Sequence, residues 1–284
     1  MDKISSENWD LIIKPHKGLL DINLKALWRY RDLISLFVRR DFVAKYKQTI
    51  LGPLWFVIQP VLTTLMYTII FSRVAKISTD GLPPILFYMS GTVAWTYFSV
   101  CLNSTSNTFI NNAGIFGKVY FPRLTVPISI IISTLIQFLI QFVLLIVIMC
   151  FYYFKGVQFH ISTFILLLPL LILLMALLSL GFGIVISSVT TKYRDLTQLV
   201  SFGVQLWMYA TPIVYPLSSI PEKYRFWILL NPLTSIIETF RFALLGTGTV
   251  NISSLLYSTG FAFVIITIGI LLFNRVEKTF IDTV

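Results

Sequence analysis

The chain has 284 residues, 56% of them hydrophobic and only 12% charged, with 22 Lys and Arg against 12 Asp and Glu for a formal net charge of +10; the mean hydropathy is +0.83. A soluble monomer of this composition would aggregate, so a water-soluble enzyme is excluded in favour of one polytopic membrane domain. The positive charge is a topology signal and a contact for anionic lipid, and nucleic acid is not expected as a partner.

Met1 to Asn23 contains acids, bases and Pro15 but no apolar core segment, so no cleavable signal peptide is expected and the first spanning helix serves as the insertion signal. From Leu24 to Ile50, Leu24 and Trp28, then Val38, Phe42 and Tyr46, recur at four-residue steps. Arg39, Arg40, Lys45 and Lys47 lie among them, so the spacing predicts an amphipathic helix along the membrane surface, serving either as an anchor or as a mechanical link. Gly52-Pro53 ends it and starts the next helix.

Six stretches then carry no Asp, Glu, Lys or Arg: 48–72, 81–117, 124–154, 156–191, 196–221 and 242–274. Each exceeds the roughly 20 residues that cross a hydrocarbon core as a helix. The expected spans are about 54–72, 84–103, 125–154, 161–189, 196–216 and 254–273. An even number puts both termini on one side. The N-terminal segment, the loops at 104–124 and 190–195 and the C-terminal tail together hold sixteen Lys and Arg against six elsewhere, which predicts cytoplasmic termini. The expected division is thus 1–53, a cytoplasmic segment with the interface helix, and 54–284, an all-α six-helix membrane domain.

Within the fourth span, Ser179, Gly183 and Ser187 stand at four-residue steps and suit close helix packing, while Pro169 is expected to kink that helix. Cys101 and Cys150 have no metal-ligand spacing and are expected to be buried as small hydrophobes. The segment 217–248 lies on the expected outer side yet is mostly apolar. Asn231-Pro232 divides it into two helices too short to span, with Ser218 or Ser219 and Thr234 or Ser235 as candidate caps. A re-entrant helical pair is expected. Glu238 and Arg241, three apart, are placed to neutralise each other, with direct substrate contact as the other reading.

No GxxxxGK[ST] loop is present; Gly114-Ile115-Phe116-Gly117-Lys118 has the wrong spacing and is followed by Val119. His16 and His160 lack partners at metal-ligand spacing. Asp80, Glu222 and Glu238 are the only outer carboxylates, and none has a second carboxylate at short spacing, as a glycan-transfer enzyme would need. The spans also lack the buried acids of an ion-driven carrier, so energy must come from another chain. They do hold aromatics: Trp55, Phe56 and Tyr67, then Tyr88, Trp95 and Tyr97, then Trp207, Tyr209 and Tyr215. Such rings suit either a membrane-interface belt or a surface along which sugar faces slide.

Several ordered pieces carry a family resemblance. They are Arg40-Asp41-Phe42, Lys45-Tyr46-Lys47-Gln48-Thr49-Ile50-Leu51-Gly52-Pro53-Leu54-Trp55, Gln59-Pro60, Ser90-Gly91 with Trp95, Asn112-Ala113-Gly114, Lys118-Val119-Tyr120-Phe121-Pro122-Arg123, and Asn231-Pro232-Leu233 with Glu238 and Arg241. From about residue 30 to 275 the chain resembles the membrane subunit of type 2 ABC exporters for bacterial surface polysaccharides, with O-antigen and capsule exporters as the nearest branch and teichoic acid exporters as cousins. Where that family commonly has Arg-Tyr, and a Ser before Leu-Gly, this chain has Lys45-Tyr46 and Thr49, a point charge in place of a bidentate fork.

The resemblance implies a non-enzymatic permease in the bacterial inner membrane. It would be a homodimer joined to two copies of an ATPase chain that binds the ATP and Mg, with no cofactor in this chain. The implied cargo is an undecaprenyl pyrophosphate-linked polysaccharide; a small lipophilic cargo and teichoic acid are the alternatives within the class. Implied docking residues for the ATPase are Arg39, Arg40, Asn112, Gly114, Lys118 and Arg123, and Arg40, Lys45 and Lys47 are implied contacts for the lipid pyrophosphate. The candidate glycan path comprises Trp55, Phe56, Tyr67, Tyr88, Trp95, Trp207, Tyr209 and Tyr215. Trp227, Asn231, Pro232, Glu238 and Arg241 form the implied outer gate at 217–248.

Overall fold

A computed structural model describes residues 24–283 apart from 48, 120, 191, 192 and 194; the side chains of 24, 26, 45, 46 and 277–283 are likewise outside the described set. The reading of residues 1–23, and Lys192 and Arg194 of the charge count, fall outside it. Among the described residues the chain is all helix and contains no strand.

The N-terminal amphipathic segment forms two helices, α1 (Leu24–Arg29) and α2 (Arg31–Tyr46), and not the single helix to Ile50 expected from the periodicity. Trp28, on the expected apolar stripe, is 72% exposed, whereas Phe37 is 4% exposed and packs edge-on to Phe121 at 5.7 Å. The buried face is therefore rotated about one residue from the simple four-step pattern, because α2 packs against a long neighbouring helix and not only against lipid.

Gly52, at φ +51°, turns the chain upward, and Pro53 sits where a missing N–H costs nothing. Then follow α3 (Trp55–Tyr67), which runs on as a wider π-helical turn through Val74, and α4 (Pro84–Ser106). The short α5 (Thr108–Phe116) is followed by α6 (Thr125–Phe154) and α7 (Leu168–Thr190). Pro169 lies in the first turn of α7, so it starts the helix and does not kink it. Cys101 is buried as expected, but Cys150 is exposed.

Among the described residues, five segments are long and apolar enough to cross a membrane, six if the bent pair Glu222–Leu229 and Pro232–Leu245 counts as one: Gly52–Val74, Pro84–Ser106, Thr125–Phe154, Thr163–Thr190 and Ile252–Val276. The last is the main part of α11 (Ile252–Thr283). The expected fifth span, 196–216, is only a 14-residue helix, α8 (Leu196–Tyr209). At 1.5 Å per residue that is about 21 Å, short of a hydrocarbon core of about 30 Å. Pro212 and Pro216 explain the early stop, since neither can donate to the helix ladder and each pushes its predecessor out of helical geometry. After this break come α9 (Glu222–Leu229) and α10 (Pro232–Leu245), bent by 101° to one another, matching the expected divided pair.

At the centre stands α4, whose 16 buried residues include a run from Leu86 to Trp95, packed on α6 and α7. Small residues permit this. A Cβ on Gly183 would fall 2.5 Å from Thr105 Cβ, so α7 and α4 touch nearly backbone to backbone along the Ser179, Gly183, Ser187 face. The contact between α7 and α11 has the same origin at Gly181, where a Cβ would lie 2.9 Å from the Ile266 nitrogen, a position the sequence reading passed over.

Candidate functional site

Three parts of the bundle place functional side chains, and the one around α10 is the most tightly built. The helix α10 is buried almost end to end, although it carries Glu238 and Arg241. Arg241 Nη1 donates to Glu238 Oε1 at 2.9 Å, with the two side chains 1% and 2% exposed. Its Nη2 donates to the Pro212 carbonyl at 3.0 Å and reaches that of Ile213 at 3.5 Å. The guanidinium lies over the Phe87 ring, 3.9 Å from its centroid. The second oxygen of Glu238 accepts the Thr249 N–H at 3.2 Å. One buried charge pair thus joins α10 to α4, to the stretch that follows α8 and to the loop that leads into α11. Lone charges would be costly here; paired and hydrogen-bonded ones are tolerated.

Asn231 works beside it. Its Nδ2 donates to Thr211 Oγ1 at 2.8 Å and to the Ala210 carbonyl at 3.3 Å, while its Oδ1 accepts the Leu233 N–H at 3.1 Å. It is therefore the cap of α10, where Thr234 or Ser235 was expected; Thr234 turns instead to the Ile228 carbonyl at 2.7 Å. No side chain caps α9. Between them Asn231 and Arg241 take up carbonyls that α8 leaves free where it unwinds at 210–213. Gly91 makes room for this, since a Cβ there would meet Arg241 Nη2 and Ile213 Cγ2, each at 3.1 Å. On the rim, Ser218 Oγ donates to Asp80 Oδ1 at 2.7 Å.

The second part is a polar stripe on the exposed side of α8, bordered by the exposed Leu199, Phe202 and Leu206. Gln198, Ser201, Gln205 and Tyr209 are all exposed and follow one another at three- and four-residue steps. On α3, Trp55 and Gln59 are exposed four residues apart. The opposite side of α8 is fixed by a run of rings: Trp207 meets Phe98 at 5.3 Å and Phe182 at 5.1 Å, Phe98 meets Trp95 at 5.5 Å, and Phe182 meets Phe261 at 5.9 Å. With Trp207 locked inward, the polar stripe must point outward.

The third part is the surface beneath the bundle. Arg39 and Arg40 are exposed on α2, with Arg40 held to Asp41 at 2.8 Å and over Phe37 at 4.6 Å. Gly114 and Lys118 are exposed after the first turns of α5.

A family model described as "ABC-2 type transporter" matches residues 32–245. The chain belongs to the ABC-2 type transporter family. This transporter is 31% identical over 253 residues to the O-antigen export system permease protein RfbA of Klebsiella pneumoniae, covering 88% of this chain and 94% of that one. It is 26% identical over 200 residues to the protein of that name from Myxococcus xanthus, covering 70% and 74%. To the polysialic acid transport protein KpsM of Escherichia coli it is 26% identical over 249 residues, covering 88% and 95%.

The transporter's geometry sorts the residues singled out from sequence. Of the aromatic candidates, Trp55 and Tyr209 are exposed, whereas Tyr67, Trp207 and Tyr215 are half-buried. Phe56, Tyr88 and Trp95 lie inside the subunit and are corrected to packing residues: Tyr88 is fully buried against Phe87 at 5.4 Å. Asn112 and Arg123 are likewise buried. Asn112 Nδ2 donates to the Thr108 carbonyl at 3.0 Å and Arg123 lies over Phe116 at 5.6 Å, so they shape the loop and do not present a docking surface. Lys47 is exposed, and the side chain of Lys45 is outside the described set. In the outer pair Trp227 is 68% exposed, Asn231 is half-buried, and Pro232, Glu238 and Arg241 are buried. Gln198, Ser201 and Gln205 were missed altogether, and Gln59 was read only as part of the Gln59-Pro60 motif. Their signal is polar side chains at helical spacing within an uncharged span.

Proposed function

We propose that this transporter is the permease subunit of an ATP-driven exporter that moves a lipid-linked polysaccharide, of O-antigen or capsule type, across the bacterial inner membrane. The observation that carries the reading is the exposed stripe Gln198, Ser201, Gln205 and Tyr209 on α8. Ser201 returns its hydroxyl to the Thr197 carbonyl at 3.1 Å, but the Gln198 and Gln205 amides facing hydrocarbon would be unsatisfied, so this face borders a wet path. Two copies bring two such faces together, with Trp55 and Gln59 of α3 at the margin; hydroxyl-rich chains are bound weakly by many amides and ring faces and so can slide. The family relationship and the names of its relatives support the class of cargo.

In this reading α8 and the unwound stretch 210–216 together make the sixth crossing, so that both termini are cytoplasmic, and a separate ATPase, two copies per dimer, binds ATP and Mg and docks on Arg39, Arg40 and the Gly114–Lys118 turn. Arg40, Lys45 and Lys47 would meet the undecaprenyl pyrophosphate head as it enters. The pair α9–α10 gates the outer exit, and its buried clamp makes gate and α8 move together.

The test is reconstitution of the chain with its ATPase in vesicles and measurement of ATP-dependent transfer of lipid-linked glycan to the far side. Transfer only with both chains present, with no ATP hydrolysis by this chain alone, is the expected result. Movement of a small lipophilic compound without glycan transfer would reassign the cargo, and hydrolysis by the isolated chain would overturn the division of labour.

A further inference from the structure

Two apolar grooves lie in line along one face of α6. The first, an open depression of about 580 Å³, is lined by Leu27, Trp28, Arg31, Ile34, Ser35 and Val38 of α1 and α2, with Ile128 and Ile132 of α6 as its floor. The second, of about 480 Å³, begins one turn further on at Ile136 and runs along α6 to Val147, with Val57 of α3 on its other side. The two grooves together follow α6 from Ile128 to Val147, about 28 Å at 1.5 Å per residue. A single leaflet, half of a core of about 30 Å, measured from Ile132 therefore reaches about as far as Val143.

The first groove differs from the second in one respect. Arg31 and Ser35 stand one helical turn apart on its wall and are its polar side chains, a cation and a hydroxyl donor. Arg31 also opens α2, where the helix dipole adds positive potential, and its guanidinium lies 5.9 Å from the exposed ring of Trp28. Its ion contact is with the neighbouring Asp32, at 3.9 Å between largely exposed side chains, too long for a hydrogen bond, so the guanidinium donors stay open to a second anion. Cation and hydroxyl at the interface above a leaflet-deep apolar furrow match a phosphodiester with an acyl chain below it.

We propose that an anionic glycerophospholipid occupies this furrow, its phosphate on Arg31 and Ser35 and one acyl chain descending past Ile128 and Ile132 into the groove closed by Val57. Seated there, it wedges α2 against α6 and α3, and so holds in place the helix that carries Arg39 and Arg40.

The full chain, purified in detergent and exposed to phosphatidylglycerol or phosphatidylcholine at equal concentration, would be examined by native mass spectrometry. One phosphatidylglycerol per subunit should be retained and phosphatidylcholine lost. The double variant Arg31→Ala, Ser35→Ala should retain about fivefold less phosphatidylglycerol, while Arg31→Lys stays near the parent. Val143→Trp, which fills the lower groove without touching the charge, should also lower retention. Both sites are at the surface, so gel filtration of each variant should match the parent. Equal retention of the two lipids, or no loss in the double variant, would overturn the proposal. So would preferential displacement by a polyprenyl phosphate, which would give the furrow to the carrier lipid. Disulfide cross-linking of two copies through Val143→Cys would give it to the dimer.

Discussion

Replacing Arg241 by Met tests the outer clamp most directly. The side chain is buried, so the variant keeps most of the volume but removes the partner of Glu238 and the donor to the Pro212 carbonyl. Glu238 would keep only its backbone partners, the Thr249 and Leu217 N–H groups. Breaking a buried pair by removing one member costs about 3 to 5 kcal/mol, because the other charge stays desolvated. Removing both charges as Glu238→Met, Arg241→Met should cost less than the single change, leaving only unpaired peptide groups at about 1 to 3 kcal/mol each. Arg241→Lys should fall between, since an ammonium cannot fork to carboxylate and carbonyl together. Fluorescence-detected gel filtration after heating reads these out: the single variant should lose its monodisperse peak on the order of 10 °C below the parent, and the double variant less far. A single variant as stable as the parent, or a double variant that is the sum of two singles, would refute the buried-pair reasoning.

Gly183→Ala should be destabilising, since its Cβ would overlap Thr105, whereas Gly260→Ala, with open space around it, should be neutral in the same heating assay. Charge reversal at Arg39 and Arg40 should leave membrane insertion intact and reduce recovery of the ATPase in co-purification; Asn112→Ala should instead lower the amount of folded permease, because its side chain is internal. Gln198→Leu with Gln205→Leu should reduce glycan export while ATP hydrolysis by the complex continues. Tyr88→Phe should leave export unaltered, since its ring is sealed within the subunit and its hydroxyl finds no partner there.

Much of the bundle was legible because charge-free stretches of this length have only one way to satisfy their backbone, and the spans at Pro84–Ser106 and Thr125–Phe154 fell where expected. The fifth span was not, because hydropathy continues through 210–216 while Pro212 and Pro216 end the helix; an apolar pattern measures solvent, not hydrogen-bonding geometry. The pairing of Glu238 with Arg241 was visible from their spacing, but the carbonyls of Pro212 and Ile213 were not, since they are 29 and 28 residues away in sequence. Composition also marked the aromatics as one class, although some rings are walls of the subunit and others face outward. Only tertiary packing separates Trp95 from Trp55.

The clamp has a consequence for how the chain is made. A guanidinium cannot be left bare in hydrocarbon, so α10 has to enter the membrane with acceptors already waiting. Phe87 and the Pro212 and Ile213 carbonyls all precede Arg241 in the chain, and Glu238 emerges three residues ahead of it; Thr249 follows only eight residues later. Vectorial synthesis therefore delivers the cation last among its principal ligands, and the unwound end of α8 acts as a receiving dock during biogenesis. A circular rearrangement that brought α10 out of the ribosome before α4 would present that charge to lipid with nothing to receive it, and such a chain should be handed to membrane proteolysis before it could assemble.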